Sequence, residues 1–98
     1  MIFSKNLLFK GTDKGEEIVK AIKNGTDIFN VFTICKAQNQ NLFEILEISE
    51  LFNEYYAKKN FKILGIAYKK ENALILAKEI IENYYNKNGS LEGLKESL

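Results

Sequence analysis

Ninety-eight residues, 46% of them apolar and with a net charge of +1, are enough for one domain whose core needs no metal or disulfide to fold. The near-zero charge gives no electrostatic drive toward nucleic acid or an anionic membrane. All 14 basic residues are lysine and histidine is absent, so the chain lacks the bidentate arginine fork for phosphate, the usual neutral-pH base and the imidazole metal ligand.

In chain order, Leu7-Leu8-Phe9 reads as a short strand, extendable back to Ile2 and ended by Lys10-Gly11. Thr12 or Asp13 is suited to cap a following helix. That helix carries Glu16 and Glu17 in its first turn, a narrow apolar face of Ile18, Ala21 and Ile22, and a stop at Asn24-Gly25. Ile28 to Cys35 is a second strand, rich in β-branched and aromatic types and placed at the centre of the sheet. A polar loop, Ala37 to Asn41, leaves it.

The stretch from Leu42 to Tyr56 supports two readings. As one helix it would start at an Asn41/Glu44 capping box and keep a helical period through Leu42, Ile45, Ile48, Phe52, Tyr55 and Tyr56; this reading is preferred. In the alternative, Leu42 to Ile48 is an edge strand hairpinned through the Gln/Asn loop, and Ser49 caps a shorter helix from Glu50. The near-continuous apolar run Phe61 to Tyr68 is a strand buried on both faces. Lys69-Lys70-Glu71-Asn72 then turns the chain into a helix with Ala73, Ala77, Ile80, Ile81 and Tyr84 on its core face, closed by Asn88-Gly89 in the left-handed C-terminal position. Leu91, Leu94 and Leu98 suggest a short docked helix or a frayed arm.

The expected fold is α/β: a small two- or three-layer βαβαβα domain of three mainly parallel strands, with a fourth edge strand at 42–48 as the alternative. Bare sheet edges invite pairing with another chain. Leu74, Ile75 and Tyr85 lie outside the core stripe of the last long helix. Together these features point to an interaction surface and a homodimer.

The chemical candidates are sparse. Cys35 falls at the end of a strand, where α/β folds place ligand crevices, and Lys36 beside it would lower the thiol pKa. With Lys69 they make a candidate small-anion site, although a structural cysteine is the preferred reading. The Gly11–Gly15 turn opens a helix but lacks P-loop and dinucleotide spacing. Tyr55, Tyr56, Lys58 and Lys59 interleave aromatics with charge, as single-strand nucleic-acid binders do, yet the two ends of this Tyr/Lys-rich region are split by a strand, and nucleic acid is disfavoured. Glu44, Glu47, Glu50 and Glu54 read as the solvated face of a helix rather than a cation site. No metal, cofactor or catalytic residue is expected. A single cysteine fits a reducing cytoplasm, and no apolar run reaches the ~18 residues of a membrane span or the length of a signal peptide.

The pattern Asn41 to Leu46, then Tyr55-Tyr56, then Ile63 to Ala67 and the helix from Ala73 resembles a family of small bacterial α/β proteins of about this length without an assigned function. The resemblance covers residues 28–89. It implies a break near Ile48, which favours the edge-strand alternative, and transfers no catalytic residue. The expected function is therefore a non-catalytic cytoplasmic interaction or self-associating accessory module, with small-ligand and nucleic-acid binding as the alternatives.

Overall fold

The computed structural model describes residues 1–57 and 59–98. The chain runs β1 (Ile2–Lys10), α1 (Gly15–Lys23), β2 (Val31–Lys36), β3 (Phe43–Glu47), α2 (Ile48–Leu51), α3 (Glu54–Ala57), β4 (Lys62–Tyr68), α4 (Lys70–Asn88) and α5 (Leu94–Ser97). The four strands form one sheet in the order β1-β4-β2-β3. Only β1 and β4 are parallel; β2 runs antiparallel to both β4 and β3.

This corrects two expectations. Residues 43–47 are an edge strand, not the first turns of a helix, and the sheet is mixed rather than mainly parallel. The two corrections share one cause. Once Phe43–Glu47 extends, the short loop before it can only return the chain antiparallel to β2. Leu46 then points into the core while its neighbours stay half-exposed, an alternation that a helix could not use. The helix that follows starts at Ile48, with Glu50 Oε1 accepting the Glu47 N–H at 3.0 Å, so neither Asn41 nor Ser49 is the capping residue.

β4 is buried on both faces, as its apolar run demands, but its alternation is broken. Gly65 pairs with Ile34 while Ile63 pairs with Cys35, leaving Leu64 as an extra residue. This is a β-bulge. It lets Ile63 and Ile66, three apart, point to the same face, where they pack with Ile18, Ile22, Val31, Cys35, Leu46, Ile48, Leu51 and Phe61. Two helical units, α1 and the α2–α3 pair, cover that face.

The opposite face is covered by α4, through Ala73, Leu76 and Ala77 over Ile34 and Ala67. Gly65 makes the approach close: a Cβ there would stand 2.8 Å from Leu76 Cδ2. Leu76, outside the expected core stripe, is thus the residue that seats the helix. The helix begins at Lys70, three residues earlier than its apolar period suggested, and ends at Gly89 with φ 74°, as expected. β2 begins at Val31 rather than Ile28 because Asn30, at φ 64°, breaks the extended backbone. Gly93, at φ 78°, turns the chain into α5, whose Leu94 is buried. Lys95 Nζ pins that helix by donating to the carbonyls of Asn39 and, at 2.7 Å, Asn41 in the β2–β3 loop. The C-terminal segment is therefore a docked helix. No helix among the described residues is long and apolar enough to cross a membrane.

Candidate functional site

Two places bring sequence candidates together. The first is the flank formed by α4 and β3. A helix advances about 100° per residue, which puts Leu74, Lys78, Ile81 and Tyr85 within a sector of roughly 60° on α4. Leu74 is 54% exposed and Tyr85 53%. Lys78 lies between them, 3.7 Å from Glu82. Glu79 projects to the other side of the helix, where it ion-pairs with Lys10 of β1. With Ala73, Leu76 and Ala77 facing the sheet, the stripe lies on the side of α4 toward β3. Ile75, 46% exposed, stands apart from this stripe on the outer surface.

The reason this flank is bare is a mismatch of widths. Four strands span roughly 19 Å and one helix only about 10 Å, so α4 cannot cover its whole face of the sheet. Over β3 the half-buried Phe43 and Ile45, with Phe32 of β2, pack at the margin of the α4 cluster. Among the described residues the outer edge of β3 has no partner strand. It carries no lysine or proline, and its register with β2 is unbroken. Lysine, proline and bulges are among the devices that discourage edge pairing; shortness and charge are others, and β3 has these in its five residues with Glu44 and Glu47.

The second place is a pocket of about 130 Å³ on the opposite face, between β3, α3 and the β2–β3 loop. Cys35, Glu44, Tyr55, Tyr56 and Lys59 are among the residues that line it. Two sequence candidates far apart in the chain, Cys35 and the paired tyrosines, thus meet here. Tyr56 donates to Glu44 Oε1 at 2.8 Å, which raises the phenol to about 12 because the carboxylate favours the protonated hydroxyl. Lys59 Nζ donates to the Tyr55 hydroxyl at 2.5 Å and stands 3.8 Å from that ring's centroid. The Tyr55 and Tyr56 rings meet edge to face at 5.0 Å.

Cys35 is not activated here. It is 1% exposed, and burial pushes its thiol up to about 11; the Glu44 charge adds to the rise and the Thr33 hydroxyl, 3.5 Å away, opposes it. The expected lowering by Lys36 fails because neighbouring strand residues point to opposite faces. Thr33, buried on the same face as Cys35, is satisfied by donating to the Leu46 carbonyl at 3.0 Å.

The candidate anion site is not assembled. Val31 pairs with Tyr68 and Cys35 with Ile63, so Lys36 ends β2 at one end of the sheet while Lys69 follows β4 at the other, roughly 17 Å away along the strands. Antiparallel pairing, unreadable from the strands singly, separates them. Lys69 instead takes up the turn into α4 at φ 71°, ψ 145°, its N–H donating to the Asn30 carbonyl at 2.8 Å. Of the Tyr/Lys cluster, Tyr55, Tyr56 and Lys59 are adjacent, Lys58 lies outside the described residues, and Lys69 and Lys70 are at the far end of β4. The four carboxylates do not share a helix face: Glu44 and Glu47 are on β3, three apart and therefore on opposite faces. No group of three potential metal ligands occurs among the described residues.

No family model, curated protein or solved structure matches this chain.

Proposed function

We propose that the protein is a non-catalytic, self-associating interaction module that works through the β3–α4 flank. One observation carries this reading: a sheet edge with an unbroken ladder and no partner strand among the described residues, and a half-exposed apolar stripe on α4, occupy the same side of the molecule. Either feature alone is ordinary on a soluble protein. Together they leave backbone donors and acceptors beside apolar surface, the combination that strand addition uses for affinity and selectivity. The rest of the chemistry supports a role without catalysis, since the thiol is buried and protonated at neutral pH and the sequence has no histidine to serve as its base. The unpaired cysteine fits a reducing compartment such as the cytoplasm.

The test is the mass of the intact chain in solution across the micromolar range, by light scattering after size exclusion. The expected result is a rise from the 11.3 kDa monomer toward twice that mass. Leu74→Glu/Tyr85→Glu should return it to the monomer and melt as the wild type does when diluted to monomer, because both side chains are already half in water. A wild-type protein that stays monomeric throughout sinks the reading.

A further inference from the structure

We infer that the groove beside β1 binds a single-chain aliphatic anion, its head between Lys36 and Lys62 and its chain over Leu8, Leu64 and Ile80. This site is independent of self-association, which uses β3 and the other side of α4. Its basis is a charge arrangement at the end of the sheet. Cys35 pairs with Ile63 across the antiparallel β2–β4 ladder, so the next residues outward, Lys36 and Lys62, stand opposite each other. Cys35 and Ile63 both pack on the α1 face, and strand alternation turns both lysines to the α4 face. Opposed residues on neighbouring strands have Cβ atoms roughly 5 Å apart, and two like charges there destabilise the sheet. Both lysines are half-buried. Among the described residues neither has an acidic partner, the ion pairs being Lys10–Glu79 and Lys78–Glu82.

Two cavities meet at this pair. One, of about 410 Å³, is lined by both Lys36 and Lys62; the other, of about 460 Å³, runs from Lys62 along β1. Among the described residues no aspartate or glutamate side chain lines either, and Lys5 adds a third cation. The longer cavity is aliphatic along its length, with buried Leu64 beneath it, half-exposed Leu8 on β1 and Ile80 on α4. Its volume falls within the ~300–1,000 Å³ of small-molecule sites. It exists for the same reason that the β3 flank is bare, since α4 is too narrow to reach the outer strand. Lys10, farther along β1, is matched by Glu79 of α4; the cations at the mouth have no such match. Lysine supplies a compact point charge rather than a bidentate fork, which suits a carboxylate or a phosphate head.

The test is calorimetric titration of the full chain with decanoate below its micellar concentration. Binding is expected, weakening roughly two- to fourfold with each methylene removed through octanoate to hexanoate. Acetate and decyltrimethylammonium should not bind. Decyl phosphate identifies the head: tighter binding than decanoate points to a phosphate-headed lipid, weaker binding to a free fatty acid, and either order supports the site. Lys36→Gln/Lys62→Gln should weaken decanoate by roughly tenfold or more. Without ligand, that variant should melt at or above the wild-type temperature, because the repulsion between the two strands is gone. Leu8→Glu sets a like charge against the chain and should also weaken decanoate, without unfolding the domain, since Leu8 is already half in water. No binding of decanoate, acetate binding as tightly as decanoate, or decanoate binding unchanged in the lysine double variant would each overturn the inference. So would an unliganded double variant that melts well below wild type, which would show that the two lysines serve the fold itself.

Discussion

The two edges of the sheet differ in how they are finished. β1 is nine residues long and β3 five, yet the long edge is the guarded one. It breaks register in its middle and is tied to the covering helix by the Lys10–Glu79 pair. A groove of about 460 Å³ runs beside it, with Leu64, Ile80 and the C-terminal Leu98 among its lining residues. β3 has none of these: its ladder is regular, and the helix face turned toward it is apolar. Length alone is therefore a poor guide to which edge is available. What counts is whether the outer backbone groups form an uninterrupted row and whether apolar surface accompanies them.

The largest expected effect tests what both edges depend on. Ile66 is fully buried on β4, which joins β1 on one side to β2 on the other. Ile66→Asp would bury an unpaired carboxylate and cost upward of about 4 kcal/mol, a large part of the stability of a domain this size. The expected outcome is loss of a cooperative thermal transition by circular dichroism. A variant that still melts cooperatively would show that the central strand is not where the sheet is held together.

The same strand shows how far the sequence could be read. The position and burial of β4, the helix after it and its Gly89 terminus were legible because each depends on local periodicity and on one backbone conformation. The outer placement of Leu74, Ile75 and Tyr85 was legible for the same reason. The direction of β2 was not. Leu42 to Ile48 is apolar nearly all round, so strand and helix periods both fit it, and choosing helix removed the hairpin that reverses the chain. The meeting of Cys35 with Tyr55 and Tyr56 was hidden for the same reason, since it follows from β3 lying beside β2 with α3 folded over it. The bulge at Leu64 left no mark either: an uninterrupted apolar run looks the same with or without a reset in its alternation.

A pair of truncations sharpens the contrast between the edges at the next level of energy. Leu46 on β3 is 3% exposed, whereas Leu8 on β1 is 40% exposed. Leu46→Ala should cost about 3 kcal/mol, the lost burial plus a residual cavity, while Leu8→Ala should cost under about 1 kcal/mol. Urea unfolding of each variant at one fixed protein concentration compares them, so that any dimer contributes equally. Equal losses would mean that β1 is as firmly packed as β3, and that its broken register does not loosen that edge.

The smallest effect separates the edges by pH. Two groups beside β3 titrate late: the Cys35 thiol moves from an ordinary 9.0 to about 11 and the Tyr56 hydroxyl from 10.0 to about 12. For both, the folded state holds its proton to a higher pH than the unfolded state does. Their contribution is therefore complete below the unfolded values and is lost as pH rises through the folded ones. Stability should be flat up to about pH 9, fall as the unfolded thiol ionises, and fall further between about 10 and 12 with the phenol. The buried thiol accounts for on the order of 2 kcal/mol of this loss; Tyr56, much more accessible, should contribute less because solvent screens it. Cys35→Ala should remove the first part of the decline and Tyr56→Phe the second, each read from urea midpoints between about pH 8 and pH 12. If the decline persists unchanged in the double variant, the alkaline sensitivity resides elsewhere in the molecule, and the pocket beside β3 does not distinguish the two edges.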